Sequence, residues 1–369
     1  MQYTTLGPSD LEVSRICLGC MSFGDAGNGQ HSWTLDEESS RAIVQQALDA
    51  GINFFDTAIV YQNGTSEEYL GRALSSMAAR DDVVVATKFL PRTDEEIENG
   101  VSGQQHVRDN LDMSLRHLGM DHVDLYIYHM WDWRTPIEEI MEGFANAAAA
   151  GKTRYIGAAN IAAWQLEKAN AIAREHGWPQ FISVQNHMNL LFREDEREML
   201  PCAQEEGIAL TPYSALASGR LSRRPGETSR RLREDSFAHG KYDAAAAMDA
   251  DIIDEVRRIA EARGVTMTTV SLAWLLTKVT APIIGATKPH HLDGAVAAVD
   301  FELSDSEIAA LERPYQPHPI VGVMAQNTKE NAAVAKSWER KRRTAEPPTS
   351  CAAQARRGAA GPGTARLSG

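Results

Sequence analysis

The chain has 369 residues, a formal net charge of −13, 43% hydrophobic and 24% charged residues, and four cysteines. At roughly 100–200 residues per domain this length allows two or three domains, or one long α/β barrel. No run approaches the ~20 apolar residues of a bilayer span, and the opening MQYTTLGPSD has neither a basic nor an apolar leader region, so neither a membrane protein nor Sec-type secretion is expected.

The charge is uneven. From Val323 onward nine Lys/Arg face three Asp/Glu, which leaves −19 on residues 1–322. Such a body repels nucleic acid and anionic membranes, so neither is an expected partner. Cys17, Cys20, Cys202 and Cys351 are too few and too scattered for a disulfide framework. Cys17-Leu-Gly-Cys20 matches C-x-x-C, but it lies in an apolar run that reads as a strand, where residues three apart sit about 10 Å apart on opposite faces. No metal is expected.

In chain order, residues 1–14 read as a small β-hairpin. Strands follow at 15–20, 53–57, 83–88, 125–129, 154–158, 182–185, 208–212 and 282–286, several as nearly continuous apolar runs of the kind buried on both faces. Amphipathic helical windows alternate with them, as in the stripe Val107, Leu111, Leu115 and Leu118. Ala50-Gly51 and Leu118-Gly119 close helices and Pro136 opens one. Eight strands with intervening helices in about 300 residues predict an α/β fold, a closed (β/α)8 TIM barrel over residues 1–322. Two connections, 89–103 and 214–250, are longer than βα loops usually are, and both follow strand C-termini, where barrel enzymes place their active sites. The last 47 residues, 323–369, hold 11 alanines and the run Arg340-Lys341-Arg342-Arg343. They read as a disordered basic C-terminal tail with one short helix around 329–343.

Four polar residues recur at strand C-termini or just beyond them: Asp56, Tyr61, Lys88 and His129. Tyrosine, with an ordinary pKa of ~10, is a poor proton donor near neutrality unless a neighbouring ammonium stabilises its phenolate. Lys88 would lower that pKa, and Asp56 would hold Lys88 charged and oriented. Tyr61 would then protonate a carbonyl oxygen while His129 gives it a second hydrogen bond. That set suits carbonyl reduction by a hydride donor.

The sequence resembles the aldo-keto reductase superfamily from Met1 to about Val321, with the bacterial YajO-like reductases nearest. The motifs that carry the resemblance are GINFFDTAIVYQNGTSEEYLGRAL (51–74), VVVATK (83–88), HVDLYIYHMWDW (122–133), GKTRYIGAAN (151–160), SVQNH (183–187), TPYSALASGRL (211–221) and APIIGATKPHHL (281–292). In that family the matching Asp, Tyr, Lys and His are the catalytic tetrad. The resemblance implies an NADPH/NADP+ cofactor held without a G-x-G-x-x-G fingerprint, which the glycines of GCMSFGDAGNG also miss. Gly19, Cys20, Met21 and Asp56 would line its nicotinamide end, Asn160 and Gln185 would hold the carboxamide, and Tyr213 would stack on the ring. Ser214, Leu216, Ser218 and Arg220 would meet the pyrophosphate. Gly285, Ala286, Thr287 and Lys288 would start a helix whose amides and cation face the adenosine 2′-phosphate, favouring NADP over NAD.

Three departures stand out. Ala159 replaces a usual Ser, Ala215 a usual Pro, and Gly294-Ala295 a Glu-Asn pair near the adenine; each lost hydrogen bond is worth about 1 kcal/mol. Trp33, Trp131 and Trp133 are placed around the substrate mouth, with loop packing as an equal reading, and Arg193 and Arg220 are candidates to meet a phosphorylated substrate. The expected function is NADPH-dependent reduction of a small-molecule aldehyde or ketone. The alternatives are a cofactor-binding regulatory subunit, as in potassium-channel β-subunits, and a sugar-phosphate conversion. A cytoplasmic location is expected, and the oligomeric state is not legible.

Overall fold

The computed structural model describes residues 1–330, apart from 30, 225 and 289 and the side chains of 230 and 231. An antiparallel hairpin, β1 (Tyr3–Thr5) and β2 (Glu12–Ser14), precedes eight parallel strands. These are β3 (Cys17–Gly19), β4 (Phe54–Asp56), β5 (Val84–Phe89), β6 (Val123–Tyr128), β7 (Thr153–Ala159), β8 (Phe181–Gln185), β9 (Ala209–Leu210) and β10 (Ile283–Gly285). They pair in the order β10-β3-β4-β5-β6-β7-β8-β9. The two ends meet through backbone bonds from Thr280 N to Leu210 O (3.0 Å) and from Ile283 N to Pro212 O (2.9 Å), which close the barrel. All eight expected strands are present, along with the hairpin.

The strands are mostly apolar because both faces are covered, with Lys88, Asp124 and Gln185 among the polar side chains buried in them. Cys17, Phe54, Val84, Ala86, Leu125, Ile127 and Ile182 point into the barrel. Their alternates Leu18, Phe55, Val85, Tyr126 and Phe181 point out to the helices. This period of two puts Cys17 and Cys20 in different packing layers, and both are free thiols. The hairpin plugs the bottom of the barrel with Leu6, Leu11 and Val13. Its turn needs glycine at Gly7, where φ is +58° and an added Cβ would lie 2.3 Å from the Ile182 carbonyl oxygen.

The surrounding helices are α1 (Glu37–Asp49), α2 (Thr65–Met77), α3 (Asp94–Glu98), α4 (Gly103–Leu118), α5 (Ile137–Ala149), α6 (Ala163–His176), α7 (Met199–Glu206), α8 (Arg230–Glu234), α9 (Ser236–Tyr242), α10 (Ala246–Arg263), α11 (Met267–Leu276), α12 (His291–Val299), α13 (Asp305–Glu312) and α14 (Val323–Gln326). Asp36 and Ser102 cap α1 and α4 by accepting from Ser39 N and Gln105 N. Pro136 is the N-cap of α5, one position before the expected first turn.

Both long connections lie over the C-terminal mouth. The first contains α3, and the second contains α8 and α9. Helices of five and seven residues are too short to leave a readable 3.6-residue pattern. Past the expected boundary at 322, Asn327 returns to the mouth: its Nδ2 donates to Trp131 O and its O accepts from Trp133 Nε1, each at 3.0 Å. The short helix expected around 329–343 and most of the expected tail lie outside the described residues. Among the described residues, no helix is long and apolar enough to cross a membrane.

Candidate active site

Parallel register brings the polar strand ends together at the C-terminal rim. Asp56 ends β4, Lys88 is near the end of β5, His129 follows β6, and Tyr61 opens the 3-10 turn Tyr61–Gly64. Lys88 Nζ donates to Asp56 Oδ1 (2.6 Å), Thr57 O (2.7 Å) and Tyr61 Oη (3.4 Å). Three acceptors satisfy all three ammonium protons, which is what allows a wholly buried lysine. Asp56 Oδ2 accepts from Gln185 Nε2 at 2.8 Å. The Tyr61 and His129 rings meet edge to face with centroids 6.0 Å apart. The four expected residues therefore form one cluster.

Its electrostatics correct one expectation. Burial is the largest influence on Tyr61 and, with Asp56 adding, raises its hydroxyl pKa above the ordinary tyrosine value; Lys88 offsets only part of this. Tyr61 is thus a neutral O–H poised to donate, with Lys88 ready to stabilise negative charge that develops on it. Burial likewise raises Asp56 against Lys88 and Gln185. Burial opposes the Lys88 charge, yet Asp56 and Tyr61 outweigh it and hold its pKa above the ordinary lysine value. His129 is driven well below its ordinary value by burial and by Lys88, so its ring is neutral, and its buried Nδ1 has no partner among the described residues.

The residues expected around a nicotinamide surround this cluster. Cys20 N donates to Asp56 O at 2.8 Å, with Gly19 before it at the end of β3 and Met21 after it. Asn160, at φ +53°, donates from Nδ2 to His129 O (3.0 Å) and accepts from Tyr213 Oη (2.8 Å). Gln185 is committed to Asp56 here, and Tyr213 stacks on His187 with centroids 5.6 Å apart. After Tyr213 the chain turns sharply through Leu216, with left-handed backbone at Ser214, Ala217, Ser218 and Gly219. Turns of this kind can present backbone amides as an anion cradle. Arg220 closes the turn: one end-group nitrogen binds Asp243 at 2.6 Å, while buried Nη1 has no partner among the described residues.

Beyond β10 the expectation needs revision. Gly285 is the last residue of the strand, Ala286 is buried with its carbonyl accepting from Ser22 Oγ (3.0 Å), and Thr287 and Lys288 lie in a bend. The helix starts only at His291, because Ser22 holds Ala286 against the β3 side. Thr287 N donates to His291 Nδ1 at 3.3 Å. Burial, with the positive potential of His290, Arg223 and Lys288, presses His291 down to about 4. Gly294 packs against the start of α11, where an added Cβ would lie 2.8 Å from Thr266 Oγ1, and Ala295 is buried. Ala159 and Ala215 are buried.

The unpartnered Arg220 donor and the cations around His291 fit a dinucleotide with phosphate at both places. Sequence reasoning missed Lys241 of α9, whose Nζ donates to Ser214 Oγ (3.2 Å) and lies 4.8 Å from the Tyr213 ring centroid. It also missed Arg223 and His291. Lys241 and Arg223 lie outside the quoted motifs, and His291, although inside APIIGATKPHHL, meets Thr287 N only through the fold of that bend.

The tryptophans separate into two groups. Trp33 is buried and packs on His31, which in turn meets Phe237 of α9. Trp131 and Trp133 instead join Trp164 of α6, with ring centroids 6.0–6.5 Å apart and Trp164 52% exposed. Arg193 is spent on Glu196 and Glu312 rather than on the mouth.

A closed barrel with this tetrad at the strand C-termini defines a barrel oxidoreductase. The sequence matches the Aldo/keto reductase family over residues 15–315, and the chain belongs to that family. It is 36% identical over 342 residues to the versiconal hemiacetal acetate reductase of Aspergillus parasiticus, covering 87% of this chain and 98% of that one. An aldo-keto reductase of Metarhizium robertsii is 38% identical over 346 residues, 87% of this chain and 93% of its own. Norsolorinic acid reductase B of Dothistroma septosporum is 31% identical over 348 residues, 90% of this chain and 88% of its own.

Proposed function

We propose that the protein is an NADPH-dependent reductase that converts an aldehyde or ketone to an alcohol, with Tyr61 giving the proton. The observation that carries this reading is Lys88 Nζ held between Asp56 and Tyr61 in a water-excluded site. NADPH, when bound, supplies a hydride to the carbonyl carbon. Tyr61 donates its hydroxyl proton to the carbonyl oxygen, and Lys88 stabilises the phenolate left behind. Asp56 keeps the ammonium charged and fixed. Neutral His129 orients the carbonyl oxygen by a hydrogen bond from its single N–H.

Arg220 and the Ser214–Gly219 turn hold the pyrophosphate, and Arg223, Lys288 and the start of α12 hold the 2′-phosphate. Trp131, Trp133 and Trp164 form an aromatic wall of mutually tilted rings whose exposed member is Trp164, which supports an aryl carbonyl. The relatives named for versiconal hemiacetal acetate and norsolorinic acid support the reductive direction.

The test is loss of reduced-nicotinamide absorbance with a panel of aryl aldehydes, diketones and sugar phosphates, against a Tyr61→Phe variant. Turnover by the wild type alone supports the reading. Tight NADPH binding with no turnover on any member would replace it with a cofactor-sensing role.

A further inference from the structure

A second ion pair, with Glu67 wholly buried and the His117 side chain 23% exposed, lies behind the turn that carries Tyr61, and the chemistry above does not use it. Directly after that turn, the first three residues of α2 tie polar side chains to the turn itself, to the end of β3 and to the helix-facing side of β5. Thr65 Oγ1 donates to Gln62 O (2.8 Å), Ser66 Oγ donates to Cys20 O (2.7 Å), and Glu67 is wholly buried. Glu67 Oε1 accepts from Thr87 Oγ1 (2.6 Å), the residue before Lys88. Its Oε2 faces Nδ1 of His117, on α4, at 2.8 Å. The same imidazole supports Gly64, the last residue of the Tyr61 turn: an added Cβ there would sit 2.4 Å from His117 Cε1, at a φ of +92°. One ring therefore touches the Tyr61 turn and neutralises the carboxylate bonded to the Lys88 strand.

We propose that Glu67 and His117 are positioning residues for the Tyr61 hydroxyl, a charged brace that fixes the turn while His117 is protonated and releases it when that proton leaves. This rests on the reading of Tyr61 as proton donor. A buried carboxylate stripped of its countercharge is costly, and the turn is what can shift to readmit water. The groups facing His117 are Glu67 and Glu68 from α2 and Arg116 from α4, while Gln62, Asn63 and Gly64 carry no titratable group. Glu67 is the main cause of a His117 pKa above 6.5, with burial opposing and Glu68 adding. Bracing is therefore complete below pH 6.5 and is lost as pH rises through the elevated value.

The test uses the full chain and two variants, with folding checked by circular dichroism. His117→Gln keeps a hydrogen-bond donor without charge; His117→Arg keeps the charge and does not titrate. Below pH 6.5, His117→Gln should speed amide exchange of residues 60–66 several-fold and leave exchange elsewhere unchanged. It should lower kcat about tenfold, as expected of a misplaced proton donor, with the Kd for NADPH from tryptophan quenching little changed. His117→Arg should restore both protection and kcat, and its kcat profile should lack the fall the wild type shows as pH rises above 6.5 through the elevated His117 value. Unchanged exchange and pH profile in His117→Gln, or no rescue by folded His117→Arg, overturns the proposal. Should His117→Gln not fold, Glu67→Gln is read by the same exchange and pH measurements. Exchange needs no substrate, so a protein that shows the exchange effect but reduces no carbonyl would overturn the reductase reading alone.

Discussion

Lys88 Nζ lies 2.6 Å from Asp56 Oδ1 with the lysine side chain wholly excluded from water and the aspartate 4% exposed. The pair holds the Tyr61 hydroxyl and is also a liability for folding, since removing one partner strands the other charge. Lys88→Met should lower stability by on the order of 3 kcal/mol and kcat by at least ~100-fold. The double variant Asp56→Asn/Lys88→Met should recover much of the stability and none of the activity. Urea melts and steady-state kinetics on the wild type, Asp56→Asn, Lys88→Met and the double variant check this; a double variant no more stable than Lys88→Met would show that the two charges are not coupled.

If NADPH is the cofactor as proposed, its selection over NADH should rest on Arg223, Lys288 and the start of α12. Lys288→Ala should weaken NADPH binding far more than NADH binding, and equal weakening would remove Lys288 from phosphate recognition. His291 adds a pH signature. Its pKa is lowered to about 4 from 6.5, so protonation is resisted until an anion arrives. Bound phosphate should raise that value, and the NADPH preference should grow as pH falls from 6.5 toward 4. Calorimetric titrations with both cofactors across that window, repeated with His291→Leu, decide it.

How much of this was readable before the structure differs by residue. Strands such as Val84–Phe89 and Val123–Tyr128 were legible because both faces are buried, which leaves nearly continuous apolar runs interrupted only by Thr87 and Lys88 in one and Asp124 in the other. Lys88 and Asp56 were legible as charged residues closing such runs. The direction of the Tyr61 shift was not, because the sequence shows the neighbouring ammonium but not the depth of burial. The start of α12 was misplaced because the bond from Ser22 to the Ala286 carbonyl spans 264 residues. Lys241, Trp164 and His117 act through contacts between elements and leave no local pattern.

The aromatic wall makes a prediction about specificity. Trp164 is half exposed beside Trp131 and Trp133, so its face is available to a ligand. Trp164→Ala should raise KM for aryl aldehydes by about tenfold, the cost of one aromatic contact, while aliphatic aldehydes and kcat change little. An equal rise for both substrate classes would assign Trp164 to packing of α6.

Acid stability should depend on the loop after β5. Thr93 and Glu96 form a capping box on α3, and Glu96 also faces His106 Nδ1 at 2.8 Å. Burial opposes the charge, but His106 and the Thr93 bonds outweigh it and bring Glu96 down to about 2 from 4.5. A depressed carboxylate stabilises fully above its unfolded value, and that contribution disappears as pH falls from 4.5 toward 2. The contribution is at most about 3 kcal/mol. Glu96→Gln should therefore melt lower than wild type at neutral pH and converge with it near the acid end. Parallel melting curves across that range would refute the assignment.

The C-terminal segment gives the last test. Asn327 spans the mouth by donating to Trp131 O and accepting from Trp133 Nε1, so the body of the enzyme extends beyond 322. Two exchanged hydrogen bonds are worth about 1 kcal/mol each, a small part of the stability of a barrel this size. Truncation after Gly322 should consequently leave the melting temperature nearly unchanged, yet it frees the Trp133 indole and raises KM several-fold. Truncation after Glu330 keeps both bonds and should match the full chain in both measurements. If the shorter protein also keeps its KM, Asn327 is a passive lid on the tryptophans; if the longer one loses activity, residues 331–369 take part in turnover.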